Sequence, residues 1–393
     1  MPRLALVATL ALLCLAGCGG TGSTGFSTGG SSSQNSQAIS VNAGPTGQYA
    51  NGLFTSVTVC FPGSLSCQTI PDVLVDTGSS GLRILNTVIQ LTLPAQNATS
   101  GNPLVECAQF ADGFTWVPVK LADVKLAGES ASNVPIQIID PTTFTIPTAC
   151  SNTGTPENTL ATLLANGILG MGNFRQDCGP ACVNTGPGFY FACSSSSTCI
   201  ETGATLAQQL QNPVWMFSGD NNGVVIQLPQ IPASGAPSAS GSIIFGIGTQ
   251  ANNALGSATV LTLAANGTFS TTLGATTYSG SFMDSGSNGI FFLDSATTGI
   301  PACPGGNSGF YCPSATQNLA ATNRGANAAS TVVNFSVANA QTLFSTGNSA
   351  FNNLAGPNPG SFDWGLPFFL GRTVFTAIEG QSTPGGTGPY LAY

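Results

Sequence analysis

The chain runs to 393 residues, 42% of them hydrophobic but only 6% charged, with 50 Gly, 25 Pro and a net charge of −8. Seven Lys and Arg in all cannot neutralise a phosphate backbone, which argues against nucleic-acid binding. The absence of histidine removes Ser-His-Asp and Cys-His triads in their usual form and most zinc sites, so hydrolysis would rest on carboxylates, hydroxyls or a few Lys. No metal and no cofactor is expected. The length suits two domains of ordinary size. The Gly, Pro, Thr, Val, Ile and Phe content favours short strands and turns over long helices.

The first residues, Met1-Pro2-Arg3, precede an apolar run from Leu4 to Ala16 that is too short to span a membrane and reads as an export signal. Leu15-Ala16-Gly17-Cys18 resembles the bacterial lipobox, which makes residues 1–18 a lipoprotein signal and Cys18 the lipidated residue. The other reading is an ordinary cleaved signal that happens to contain Cys18. Gly19 after the Cys implies the outer membrane of a two-membrane, Gram-negative cell, with the lipid anchor as membrane partner. Residues 19–40, made of Gly, Ser, Thr and Gln, read as a flexible tether.

Beyond Cys14 and Cys18 ten cysteines remain, an even number for an oxidising compartment. The simplest pairing is local: Cys60 with Cys67, Cys107 with Cys150, Cys178 with Cys182, Cys193 with Cys199, and Cys303 with Cys312. Cys178–Cys199 together with Cys182–Cys193 stays open, as does metal binding by Cys178-Gly-Pro-Ala-Cys182.

In chain order, the pattern becomes strand-like from Ile39, and Tyr49–Phe61 and Ile70–Val75 read as strands around a Pro62-Gly63 turn. Leu104–Phe110 and Phe114–Leu126 read as a long hairpin closed by Ala111-Asp112-Gly113. Val134–Ile139 and the apolar Asn166–Gly172 follow as strands. Residues 178–199 read as a cysteine-bounded excursion of turns, and Thr205–Gln211 as a helix. Asp220-Asn-Asn-Gly223 lacks the remaining ligands of a calcium loop and reads as a hairpin turn. The Pro-, Ser- and Ala-rich stretch 230–241 is the best boundary, dividing a β lobe at 41–240 from a second at 241–393. The second opens with a strand at Ser242–Ile247 and closes with one at Pro389–Tyr393.

One stretch occurs twice. Residues 73–85, Val-Leu-Val-Asp-Thr-Gly-Ser-Ser-Gly-Leu-Arg-Ile-Leu, align with residues 281–293, Ser-Phe-Met-Asp-Ser-Gly-Ser-Asn-Gly-Ile-Phe-Phe-Leu. Asp76 falls on Asp284, Thr77 on Ser285, Gly78 on Gly286 and Ser79 on Ser287. Each copy is an apolar strand, a tight Gly turn bearing one carboxylate, and another apolar strand. A lone Asp-Thr-Gly is a good turn and little more. Duplicated, it predicts two carboxylates facing each other and sharing one proton. One Asp would then take a proton from a water while the other donates to a carbonyl oxygen. The glycines permit close approach, and Thr77, Ser79, Ser285 and Ser287 supply hydroxyls to hold the carboxylates.

Asp76-Thr-Gly-Ser-Ser80 and Asp284-Ser-Gly-Ser287 resemble the two motifs of the pepsin-like aspartic proteases, and an uncharacterised bacterial lipoprotein family of that fold is a related resemblance. The resemblance implies a mainly β, two-lobed acid-protease fold with an Asp-Gly turn in each lobe. It also implies a dyad of Asp76 and Asp284 cleaving peptide or protein substrates, and a monomer. Ile168-Leu-Gly170 and Phe369-Leu-Gly371 resemble the apolar-apolar-Gly segments that brace each Asp turn, and Ser242-Ile-Ile-Phe-Gly246 the segment at the lobe junction. In that family a flap Tyr meets a Trp. Here the Trp position is Arg83 and the flap candidate is Phe110, so the latch is rebuilt or gone. The alternative function is a non-catalytic surface binder on the same scaffold. A two-carboxylate glycosidase fits the symmetric turns poorly.

Overall fold

A computed structural model describes residues 34–393 apart from Asp112, Pro141 and Pro187. The expected signal, Cys18 and most of the tether lie outside the described residues. The described chain is mainly β and two-lobed, as expected, with a 16-stranded sheet running through the first lobe into the molecule's middle and a 7-stranded sheet in the second lobe.

The first lobe is built on strands buried on both faces. In Cys67–Asp76 the last four residues are all buried, and Ser80–Leu85 is buried throughout. This is the apolar run expected of central strands covered above and below. Val57, Val73, Val75, Leu82, Ile84 and Leu169 are fully enclosed between them. The second lobe relies on aromatic packing instead. Phe292 stacks on Phe362 at 5.2 Å between ring centroids, and Trp364 meets Phe335 edge-on at 5.2 Å.

Between the lobes lies a set of strands drawn from the whole chain. Ser36–Asn42 pairs with Gly52–Cys60 on one side and Ala239–Phe245 on the other. The sheet continues through Gly223–Gln227, Thr373–Ala377, the terminal Tyr390–Ala392 and Val260–Thr262. Two expectations change here. The stretch 19–40 does not stay a tether to its end, because Ile39 and Val41 alternate inward and turn a Ser/Gln-rich segment into a buried strand. The boundary at 240/241 falls inside the strand Ala239–Phe245, which belongs to the shared sheet.

All five local cysteine pairs form bridges: Cys60–Cys67, Cys107–Cys150, Cys178–Cys182, Cys193–Cys199 and Cys303–Cys312. The alternative crossing of the middle four is therefore not used, and the bridge at Cys178–Cys182 leaves neither thiol free to hold a metal. Cys150 sits in the short helical turn Thr148–Ser151, which its bridge ties to the strand Leu104–Gln109 at Cys107. Cys303 and Cys312 close a loop in the second lobe, where Cys312 N also bonds to the Pro301 carbonyl at 2.7 Å. Thr205–Gln211 is not a helix. It is a single turn in which Gln208 Oε1 accepts from Thr205 N at 2.9 Å, and the chain then leaves along Gln209–Gln211. Asp220–Gly223 turns into the strand Gly223–Gln227 without forming a hairpin, and Asn222 bridges Ile247 and Ser382.

Val41, fully enclosed between Leu53 and Ala239, tests the shared sheet. Val41→Asp places an uncompensated charge there and should cost about 3 kcal/mol or more in urea unfolding. A loss within about 0.5 kcal/mol, the range of ordinary surface changes, would show that this strand is dispensable.

Candidate active site

Each Asp turn forms where one strand ends and the next reverses. Asp76 closes Cys67–Asp76 before Ser80–Leu85, and Asp284 follows Thr276–Met283 before Ile290–Leu293. The carboxylates are held alike. Gly78 N donates to Asp76 Oδ1 at 2.7 Å, and Gly286 N to Asp284 Oδ1 at 2.7 Å. Ser79 Oγ donates to Asp76 Oδ2, and Ser287 Oγ to Asp284 Oδ2 at 3.0 Å. Gly78 N also reaches across the seam to Asp284 Oδ1 at 3.2 Å.

The seam itself is closed by the two hydroxyl residues. Thr77 N donates to Ser285 Oγ at 3.1 Å, Ser285 N to Thr77 Oγ1 at 2.9 Å, and Ser285 Oγ to the Val75 carbonyl at 2.8 Å. Both residues are buried, so each bond is shielded from competing water. Glycine is required at two points of this arrangement. A Cβ on Gly78 would stand 2.5 Å from Asp284 Cγ, and one on Gly286 would stand 2.9 Å from Asp76 Cγ. The structure thus brings all eight predicted residues of the two turns together.

Asp76 is buried, while Asp284 keeps some opening to the cleft although protein atoms crowd its carboxyl. Burial pushes the Asp284 carboxyl well above the usual carboxylate range. The charges of Asp76 and Asp363 and a hydrogen bond with Asp76 add to that rise, against the Gly286 N–H. The pair is therefore arranged to retain a proton.

Behind the first turn, Val73–Asp76 runs parallel to Gly167–Gly170, as expected for Ile168-Leu169-Gly170. The second brace is not Phe369-Leu370-Gly371. Phe282 and Met283 pair with Asp363 and Trp364, and Asp284 N donates to the Trp364 carbonyl at 3.2 Å. Gly365 then fills the role of Gly170, because a Cβ there would stand 2.1 Å from the Gly289 carbonyl oxygen. Leu366–Phe369 forms a short helical turn beyond it.

The hairpin over the first lobe comprises Leu104–Gln109 and Gly113–Leu126, with Phe110 N bonded to the Gly113 carbonyl at 2.7 Å. The latch is rebuilt. The Arg83 guanidinium sits 5.4 Å from the Phe110 ring centroid, a cation–π contact in place of a Tyr–Trp hydrogen bond. Arg83 is buried, with Nη2 2.9 Å from Glu106 Oε1 and 3.8 Å from Asp177 Oδ2, and Nη1 on the Ser80 carbonyl. Burial works against its charge, and Glu106 and Asp177 more than offset that. Tyr190 OH donates to Asp177 at 2.7 Å. Sequence reasoning missed Glu106, Asp177 and Tyr190. The available signal was an Arg inside an apolar strand, which needs a buried acid.

The 178–199 segment also departs from turns alone. Tyr190–Ser195 and Thr198–Glu201 form strands, and the first pairs with Leu104–Glu106 of the hairpin. The flap is consequently one part of a larger sheet. A recess of about 700 Å³ on the second lobe, lined by residues such as Gln230, Asn334, Trp364 and Arg372, contains no acid.

A family described as "Protein of unknown function (DUF3443)" matches residues 31–393. The chain belongs to that family. No curated protein matches it. Among solved structures it is similar to the aspartic proteinase from Irpex lacteus, with a TM-score of 0.52 and 16% identity, covering 91% of this chain and 96% of that one. At that identity the likeness establishes the fold, and this DUF3443 chain has the two-lobed pepsin-like fold.

The buried cluster under the flap yields a direct test. Arg83→Met strands Glu106 and Asp177 without their cation, and should destabilise the chain by about 3–5 kcal/mol in urea unfolding. A cost under about 1 kcal/mol, the value of an exposed pair, would contradict the cluster.

Proposed function

We propose that the chain is an aspartic endopeptidase, exported and anchored by a lipid on Cys18 at the outer membrane, that hydrolyses extended, mostly apolar peptide segments as a monomer. The observation carrying this reading is the placement of Asp76 and Asp284 across one seam with Gly78 N bonded to both carboxylates. Five disulfide bridges suit an oxidising compartment.

The chemistry follows from one proton on the pair. Asp284, whose carboxyl is held above the usual range, donates its proton to the oxygen of the scissile carbonyl. Asp76 takes a proton from a water between the carboxyls, and the resulting hydroxide oxygen bonds to the carbonyl carbon. In the tetrahedral diol that forms, Asp76 passes its proton to the amide nitrogen, the C–N bond breaks, and one diol proton returns to Asp284. Ser79 and Ser287 fix the outer carboxylate oxygens, leaving the inner ones to the water. No metal or covalent intermediate is required. The non-catalytic alternative gives no reason for two carboxylates held in contact at the cost of desolvation.

Digestion of denatured protein across pH checks the reading. Cleavage should be strongest at acidic pH and fall as pH rises through the elevated titration of Asp284. Asp76→Asn and Asp284→Asn should each reduce the rate by roughly 10²–10⁴-fold with the fold retained. Undiminished cleavage in both variants would remove the dyad mechanism, and an intact substrate at every pH with the wild-type chain would support the binding protein instead.

A further inference from the structure

The cleft floor carries a third carboxyl that the dyad chemistry leaves unused. Asp363 lies in the strand Asn358–Trp364, is 6% exposed, and pairs with Phe282 on one side and Phe291 on the other. The first lobe has a counterpart in the same register: Ile168, between Leu74 and Arg83. There the position is apolar, with Ile168 packed in a cluster that includes Phe54, Leu74 and Phe110. An aspartate in the isoleucine's place loses solvation, and its Oδ1 is buried without a hydrogen-bond partner. Packing gives no reason for the exchange.

The surroundings of Asp363 do give one. Ser287, whose hydroxyl lies 3.0 Å from Asp284 Oδ2, also interacts with the Asp363 carboxyl, and the charge of Asp76 acts on it from the other lobe. The flanking strands face it with Phe282 and Phe291, and no ion pair forms to it among the described residues. Burial pushes its titration up to about 7, with Ser287 drawing it down and Asp76 adding to the rise. Asp363 in turn acts on Asp284 in the same sense as Asp76 does.

We propose that Asp363 is a positioning acid of the dyad: protonated, it directs the Ser287 hydroxyl toward Asp284, and ionised, it keeps the shared proton on the pair of Asp76 and Asp284 and extends cleavage toward neutral pH. The balance is simple. A protonated Asp363 donates to Ser287 Oγ, leaving the single serine proton for Asp284 Oδ2. An ionised Asp363 competes for that serine proton and adds negative charge, and both effects oppose loss of the dyad's last proton. This inference rests on the aspartic-peptidase reading above.

Two variants of the full chain test it, Asp363→Ile, which copies Ile168, and Asp363→Asn, which keeps shape without charge. The alkaline limb of the pH profile of kcat/KM should move to lower pH by roughly one unit in both. Variants that cleave with an unmoved alkaline limb would overturn the proposal, since a merely structural residue would change rate without moving the limb. Urea unfolding against pH reads the same group without cleavage. A carboxyl whose titration is higher in the fold than in the unfolded chain contributes stability that is full below about pH 4 and declines as pH rises. For Asp363 that decline ends near pH 7. Asp363→Asn should flatten the slope across that window, and an unchanged slope would overturn the proposal. If Asp76→Asn cleaved like wild type, the peptidase reading would fail while this slope still reported on Asp363.

Discussion

Thr77 and Ser285 carry the constraint on which the rest of the molecule depends, because their crossed bonds to each other's backbone join the lobes at the point where the two carboxylates meet. Each hydroxyl oxygen accepts the other turn's N–H, at 3.1 and 2.9 Å, in a buried setting. The geometry leaves little freedom: the turns are close enough that a methyl group on Gly78 would collide with Asp284. Carboxylates at that range cannot both ionise without a large penalty, so the pairing of the turns is also what retains a proton in the cleft. The wide shared sheet and the braces at Gly170 and Gly365 keep the two turns in this one relation.

Around this symmetric centre the two lobes differ in the residues that flank each Asp turn. The first lobe places Arg83 behind the flap and joins it to Glu106, Asp177 and, through Asp177, Tyr190. The second lobe has Phe291 at the position matching Arg83 and Asp363 at the position matching Ile168. Each lobe thus carries one charged residue in this strand pair, a cation on the first strand in one lobe and an acid on the second strand in the other. On the first side the charge is neutralised within the flap sheet, which is further widened by Tyr190–Ser195 and Thr198–Glu201. On the second side it is a lone acid beside the dyad.

The centre was legible in the sequence because it is local and repeated: an Asp, a Gly two residues later and a Ser three residues later, preceded by buried apolar residues. The cysteine pairs were legible for a similar reason, since each partner, from Cys107 and Cys150 to Cys303 and Cys312, is the next cysteine along the chain. The second brace was not, because Phe369-Leu370-Gly371 fits the apolar-apolar-Gly pattern better than Asp363-Trp364-Gly365, and the strand register decides between them. The Ser36–Asn42 strand was legible only from Ile39 onward, because Ser36, Gln37 and Ala38 carry no inward apolar signal. Glu106 and Asp177 lie 23 and 94 positions from Arg83, so their meeting is a fact of topology that no spacing announces.

The account stands on one proton held between Asp76 and Asp284, and carboxyl carbon-13 NMR on an aspartate-labelled chain reads that proton directly. The Asp284 carboxyl should titrate well above the ordinary carboxylate range in the wild-type chain, and should move back toward that range in Asp76→Asn, where its charged neighbour is gone. An Asp284 that titrates in the ordinary range, or that is indifferent to Asp76, would contradict it.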